Sequence, residues 1–268
     1  MPRTHIKRYH RGGPGSPRLE ALSLAWLADA PGGVRTAAVL SATAQSLELE
    51  YLPPVRPSPE AAEAFGRALA RTHAAGAPHF GAAPPRWDGP GWIGDAPMTF
   101  AATPVPSWGE FYAVARVMPY ARAAAKRGAL GADQFAAIGR VAERLRSGKF
   151  DSPQPGLLPP NQAARLHGDL WSGNVMWTDP AAGAAWTGAA LIDPSAHGGH
   201  AETDLAMLAL FGAANLPTII AAYDEVSPLA EGWEDRTGLH QLYPLLVHAL
   251  LFGGSYGAAA AAKAARYS

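Results

Sequence analysis

An aspartate and an asparagine five residues apart, with a second aspartate closing a hairpin further on, are the parts that phosphoryl transfer asks of a protein. Residues 166–194 supply them. In the run His167-Gly168-Asp169-Leu170-Trp171-Ser172-Gly173-Asn174, Asp169 is placed to orient an attacking hydroxyl and accept its proton. Asn174 is placed to hold a magnesium ion through its amide oxygen. The apolar run Val175-Met176-Trp177 reads as a short strand and Ala189-Ala190-Leu191-Ile192 as its return, with turn chemistry from Asp179-Pro180 through Gly188 between them. Such a hairpin brings Asn174 beside Asp193, so an amide and a carboxylate converge where phosphate-bridging magnesium would sit; hard cations select oxygen ligands. An Asp-x-x-x-x-Asn spacing alone is common, and an Asp-Pro pair is usually a turn. It is their combination that points to catalysis.

The elements that must position these residues are legible as patterns. Residues 3–8 read as a strand carrying Lys7. Leu19 to Ala30 reads as an amphipathic helix carrying Glu20, with Leu19, Leu22, Trp26 and Leu27 on one face. In a kinase such a pair supplies a lysine for the α and β phosphates and a glutamate that fixes it; each residue taken alone is an ordinary surface charge. Val34–Leu40 and Ser46–Leu52 read as two strands, the second alternating Leu47, Leu49, Tyr51 against Glu48 and Glu50 until Pro53 and Pro54 stop it. From Glu60 onward the pattern is helical, interrupted at residues 77–106 by a long Gly-, Pro- and Trp-rich stretch. There Trp87 and Trp92 are candidates for a sugar-facing wall or a plug over the core. Ser107-Trp108-Gly109-Glu110 is a capping box that opens a helix to about Arg127, which Pro119 should kink. Another helix begins at Gly131 or Asp133 and ends at Gly148, and helices are expected over 205–214, 218–223, 239–251 and 258–267. His73 is read as a packed histidine without a role. His197 and His200 are three apart, but with no third ligand at suitable spacing they do not make a zinc site.

Composition narrows the classes. The 268 residues are enough for one large domain or two lobes. Twenty-two basic against 22 acidic residues argue against a nucleic-acid footprint or a polybasic membrane anchor. The absence of cysteine excludes disulfides, thiolate metal sites and cysteine nucleophiles. No apolar leader and no run of about 18 apolar residues is present, so the expectation is a cytoplasmic chain with no membrane partner.

The loop 167–174, the segment Ile192-Asp193-Pro194 and the downstream Gly199-His200-Ala201-Glu202-Thr203-Asp204-Leu205-Ala206-Met207 together resemble the fructosamine kinase (ketosamine-3-kinase) family, within the aminoglycoside phosphotransferase-like kinases. Trp171 is the discriminating residue. Trp92-Ile93-Gly94-Asp95-Ala96-Pro97, Trp108-Gly109-Glu110-Phe111-Tyr112 and Pro119-Tyr120 extend the resemblance over nearly all of the chain from Lys7. Met98 and Phe100 stand where the family commonly shows Gln and Asn. The resemblance implies an α+β, protein-kinase-like fold of two lobes, with a truncated β-containing N-lobe over residues 1–55 and a mainly helical C-lobe over 56–268. It implies an ATP- and magnesium-dependent kinase of a ketosamine sugar, free or on a protein lysine, that assists deglycation. In that frame Asp169 is catalytic and Asn174 and Asp193 hold metal. Lys7, Glu20 and the hinge residues Glu50, Tyr51 and Leu52 serve the nucleotide. Trp171, His200 and Glu202 face the substrate, and His167 and Asp204 brace the loop.

One departure is plain. Only six residues precede Lys7, where a kinase places two strands and a Gly-rich phosphate loop, and the Gly12-Gly13-Pro14-Gly15 cluster follows the lysine instead. Either the chain starts inside a longer reading frame or the loop has been lost. The second case keeps a non-catalytic, sugar-binding pseudokinase as an alternative. A kinase for an aminoglycoside or another small hydroxylated amine is a further one.

Overall fold

The computed structural model describes residues 3–10, 13–159, 161–179 and 186–268, and two exceptions to the expected elements bear on the site. β1 (Thr4–Arg8) is followed by α1 (Pro17–Ala28), whose Ser16 cap accepts a hydrogen bond from the Leu19 amide and whose first residue is the proline that needs no N–H donor there. β2 (Arg35–Thr36), β3 (Val39–Ala42) and β4 (Ser46–Glu50) come next. β4 lies between β1 and β3 in an antiparallel sheet, with Lys7 opposite Leu47. Leu47 and Leu49 point from it into a small core shared with Leu24 and Ala37. The outer edge of β1 pairs with no strand among the described residues.

The first exception concerns the strand expected over 34–40, which is two strands in different sheets. β2 runs parallel to the later β9 (Ala189–Leu191), whereas β3 pairs with β4. The crossing is held by Ala37 N donating to Leu191 O at 3.0 Å and by Ala38 N donating to the Glu50 carboxylate at 2.8 Å. A strand signal cannot show this change of partner, because both halves are equally extended. The consequence is that the N-terminal sheet is tied directly to the hairpin carrying Asp193.

α2 (Pro59–Ala74) is capped by Ser58 and packs on α7 (Leu216–Val226); a side chain at Gly66 would come within 2.3 Å of Ile219 O, so glycine sets this close approach. The second exception is a hairpin inside residues 77–106, β5 (Gly91–Ile93) and β6 (Ala96–Met98), whose three-residue strands are too short to signal themselves. α3 (Trp108–Phe111) starts at Ser107, which accepts from Glu110 N at 3.2 Å, and continues through a π-helical turn at Tyr112–Val117 into α4 (Met118–Lys126). The anticipated kink at Pro119 takes the form of that π turn. Proline cannot donate to the carbonyl four residues earlier, and Ala115 O accepts from the Arg116 guanidinium at 3.1 Å instead.

α5 (Ala132–Arg146) leads to β7 (Ala164–Leu166), and β8 (Val175–Trp177) forms the expected antiparallel hairpin with β9. The turn chemistry assigned to Pro180–Ala185 lies outside the described residues. β10 (His197–Gly199) pairs with β7, and α6 (Glu202–Leu210), α7, α8 (Trp233–His240), α9 (Leu242–Phe252) and α10 (Tyr256–Ala264) complete an α+β chain. The principal core is helical, built around Phe111, Tyr112, Ile138, Leu145, Tyr243 and Leu246.

Candidate active site

β7 delivers the chain to His167, which is buried and neutral in its hydrogen bonding: Nε2 donates to Ile192 O at 2.9 Å and Nδ1 accepts from Asp169 N at 3.2 Å. Burial lowers its pKa against the pull of Asp204. Asp204, in the first turn of α6, accepts from the amides of His167 at 2.7 Å and Gly168 at 3.0 Å. Gly168 has φ +83°, and a Cβ there would meet Ser195 O at 2.1 Å, so only glycine lets the loop turn this tightly. Burial alone would raise the Asp204 pKa, but its hydrogen bonds, first among them that of His73, outweigh burial and hold it below the usual range. His73 is therefore part of the scaffold. Its Nε2 lies 3.2 Å from Asp204 and its Nδ1 2.9 Å from the Tyr223 hydroxyl. No spacing pattern signals this, since the partners lie 131 and 150 residues away.

Asn174 ends a single 3-10 turn (Ser172–Asn174), and its Nδ2 donates both to Asp169 O at 2.8 Å and to Asp169 Oδ2 at 3.2 Å. That commitment of the amide nitrogen fixes Oδ1 as the atom available to a cation. Burial raises the Asp169 carboxyl to about 6, with Asp204 and Asp193 adding to the rise and the Asn174 hydrogen bond opposing it. Asp193 follows β9 with φ +53°. Lys7 Nζ lies 2.8 Å from Asp193 Oδ1 and 2.7 Å from Glu20 Oε2, and the Tyr9 hydroxyl donates to the same Glu20 carboxylate. Burial lowers the Lys7 pKa, yet Glu20 and Asp193 raise it by more.

Lys7, Glu20, Asp169, Trp171, Asn174 and Asp193 all line one cavity of 480 Å³, a volume that suits a small-molecule site. Trp92 and Asp95, from the β5–β6 hairpin, line it too. Trp87 does not; it packs at a separate cavity over residues 78–102. The oxygen donors of Asn174 and Asp193 suit a hard divalent cation, and the ammonium of Lys7 beside them suits phosphate. A second cavity, of 190 Å³, adjoins Asp193 and is lined by Leu49, Glu50, Tyr51, Leu52, Met176 and Ile192 among others. The amides of Glu50 and Tyr51 already donate to Ala38 O and Arg3 O, and the Glu50 side chain is engaged by Arg35 at 2.5 Å. Met98, standing in for a polar family residue, is buried, and its sulfur is 3.5 Å from the Tyr243 hydroxyl.

His200 and Glu202, anticipated at the substrate, are not in this cavity. Both are buried, at 1% and 2% exposure, in a separate polar network. Arg236 grips the Glu202 carboxylate with Nε at 2.9 Å and Nη2 at 2.5 Å, and His240 Nε2 faces it at 3.2 Å, off the line of a good hydrogen bond. Burial pushes the Glu202 carboxyl up, but His240 and Arg236 more than reverse this and hold it at about 2. α6 buries every residue from Glu202 to Leu208, so its first turn has no side that faces the cleft, and His200, just ahead of it, packs against Trp108 and His240. His200, Glu202 and His240 do place ligand atoms within 4.8 Å of one another, a proximity the sequence spacing concealed. The guanidinium already occupies the carboxylate where a metal would bind.

A sequence model described as fructosamine kinase matches residues 18–267. The chain is 34% identical over 216 residues to a "probable ketoamine kinase" of Klebsiella aerogenes, an overlap of 78% of this chain and 65% of that protein. It is 33% identical over 244 residues to another of Thermus thermophilus, covering 91% and 79% of the two chains. It thus spans less than two thirds of the length of the Klebsiella relative. A crystal structure of a "putative fructosamine-3-kinase" from Thermobifida fusca superimposes with a TM-score of 0.84 at 43% identity, over 98% of this chain and 85% of that one. Choline kinase from Streptococcus pneumoniae, at 14% identity and a TM-score of 0.56 over 98% and 84% of the two chains, shares the fold alone. With the loop, the hairpin and the lysine–glutamate pair disposed as described, the architecture is protein-kinase-like and the chain belongs to the fructosamine kinase family.

Proposed function

We propose that this chain transfers the γ-phosphoryl group of ATP to a sugar hydroxyl of a ketosamine, the 3-hydroxyl being the one named by its structural relative. The observation that carries the reading is the convergence of Asp169, Asn174, Asp193 and the Lys7–Glu20 pair on one cavity with Trp171 at its wall. Asp169, ionised above about pH 6, accepts the proton of the attacking hydroxyl and aligns its oxygen, which is a matter of positioning more than of covalent chemistry. Asn174 and Asp193 would hold the magnesium, which supplies charge neutralisation on the transferring phosphoryl group. Lys7, kept in place by Glu20, meets the α and β phosphates. The apolar slot beside Leu49, Leu52, Met176 and Ile192 takes the adenine ring, with the Leu52 amide as the donor of the three hinge residues that no backbone carbonyl engages among those described. The half-exposed Trp171 ring covers the face of the sugar.

The division into a small N-lobe ending near residue 55 and a helical C-lobe beyond it follows from this reading, with the cleft between them as the reaction site. Substrates include ketosamines on protein lysines, so the activity assists deglycation. The test is magnesium-dependent ATP turnover with ribulose-lysine, fructose-lysine and an aminoglycoside, run beside Asp169→Asn. Turnover with a ketosamine that the variant loses is the expected result. Turnover with the aminoglycoside alone, or none at all, would overturn the assignment.

A further inference from the structure

The substrate end of the cleft carries a carboxylate that the transfer chemistry leaves unused. Four acids line the cavity: Glu20, Asp95, Asp169 and Asp193. Glu20 is held by Lys7 and Tyr9, Asp193 by Lys7, and Asp169 by Asn174. Asp95 makes no ion pair or hydrogen bond with any described residue. It sits at the tip of the β5–β6 hairpin, beside Gly94 with φ +52°, and is exposed.

The hairpin that presents it is anchored. Ile93, Ala96 and Met98 are buried, and the Tyr120 hydroxyl donates to Pro97 O at 2.7 Å. The cavity walls are also charged unequally. β1 and the residues after it contribute Lys7, Arg8 and His10, whereas the hairpin contributes Asp95 and the aromatic face of Trp92. Phosphate belongs at the first wall and a cation at the second.

Resting on the ketosamine reading, we infer that Asp95 and Trp92 form the subsite that recognises the substrate's protonated amine. A ketosamine differs from the parent ketose in the ammonium at C1. That nitrogen stands at most roughly 5 Å from the 3-hydroxyl oxygen by ordinary bond lengths. A molecule whose hydroxyl meets Asp169 therefore carries its ammonium within the same cavity, where the uncommitted carboxylate pairs with it and the indole offers a cation–π face. Because Gly94 and Asp95 are exposed at the rim, the substituent on the nitrogen leaves across the hairpin tip into solvent. A free amino sugar and a glycated lysine thus meet the same carboxylate. Discrimination against plain ketoses resides at residue 95, remote in sequence from the catalytic loop.

The test reads binding, so it does not depend on turnover. Calorimetric titrations of the full chain with 1-amino-1-deoxyfructose and with fructose give a preference ratio for the wild type, Asp95→Asn and Asp95→Glu. Asparagine suits this two-residue hairpin turn as well as aspartate does, so the variant keeps the loop. The expected result is a preference of about tenfold or more for the amino sugar in the wild type, lost in Asp95→Asn and largely kept in Asp95→Glu. A preference unchanged in Asp95→Asn would overturn the subsite while leaving the kinase reading intact. Binding of neither sugar, or equal binding of both by the wild type, would overturn it as well, and the first of these would take the ketosamine assignment with it.

Discussion

Replacing Asp169 by Asn should make the protein more stable while it removes activity, and the structure fixes both the size and the pH range of the gain. The carboxyl is raised from 3.8 to about 6 by burial first, with the neighbouring Asp204 and Asp193 adding to it. Because the native carboxyl holds its proton more tightly than the unfolded one, ionised Asp169 opposes folding at every pH above about 6. The opposition fades as the pH falls towards 3.8 and is absent below it. A shift of this size corresponds to about 3 kcal/mol. Asparagine is nearly isosteric and its Oδ1 can still accept from Asn174 Nδ2, so the variant removes the charge without leaving that donor unmet. Urea denaturation of both proteins without nucleotide or metal measures the difference. The variant should be more stable by about 2–3 kcal/mol at pH 8 and equal to the wild type near pH 4. A variant less stable at pH 8, or a difference that does not change with pH, would show that the carboxylate is not held at a cost and would remove the physical basis for its role as a base.

The same ionisation sets the acid limb of catalysis: kcat/KM should fall about tenfold per pH unit below an apparent pKa of about 6, and a limb centred near 4 would contradict it. Lys7→Met removes the ammonium bridging Glu20 and Asp193 and should weaken ATP binding about 10- to 100-fold by calorimetry, whereas unchanged affinity would move the phosphates elsewhere. Arg236→Met leaves Glu202 buried beside His240 without its cation and should cost about 3–5 kcal/mol in denaturant unfolding, with part of the loss restored when Glu202→Gln is added.

What the sequence disclosed is what is local or periodic. The Asp169–Asn174 spacing, the β8–β9 return to Asp193 and the Ser107 cap all lie within a few turns of chain, and the structure has them in the form the spacing implied. Lys7 and Glu20 are 13 residues apart in sequence, and their pairing is anticipated only from their order ahead of the catalytic loop and the kinase resemblance, since each alone reads as a surface charge. His200 and Glu202 lie close in sequence to Asp204, which braces the catalytic loop, yet both are buried away from the cleft. Their buried partners Arg236 and His240 come from α8, which no spacing rule connects to them. The β5–β6 hairpin stayed hidden for a related reason. Three-residue strands in a Gly- and Pro-rich stretch carry almost no periodicity, and burial of Ile93, Ala96 and Met98 against distant helices is what makes them a hairpin.

The left-handed backbone at Asp193 restricts which residues evolution or an engineer could place there. At φ +53° most side chains crowd the chain, and glycine, asparagine and aspartate are among the residues that tolerate it best. Glycine brings no oxygen to the cleft, so asparagine and aspartate are the residues that best satisfy the backbone and supply an oxygen ligand at once. Conservation of charge is then the wrong guide to what is tolerated. Asp193→Glu keeps the carboxylate but strains the turn, and Asp193→Asn gives up the charge but keeps the fold. The geometry of one peptide unit, fixed before any ligand arrives, thus sets the mutational neighbourhood of the site more narrowly than its chemistry does.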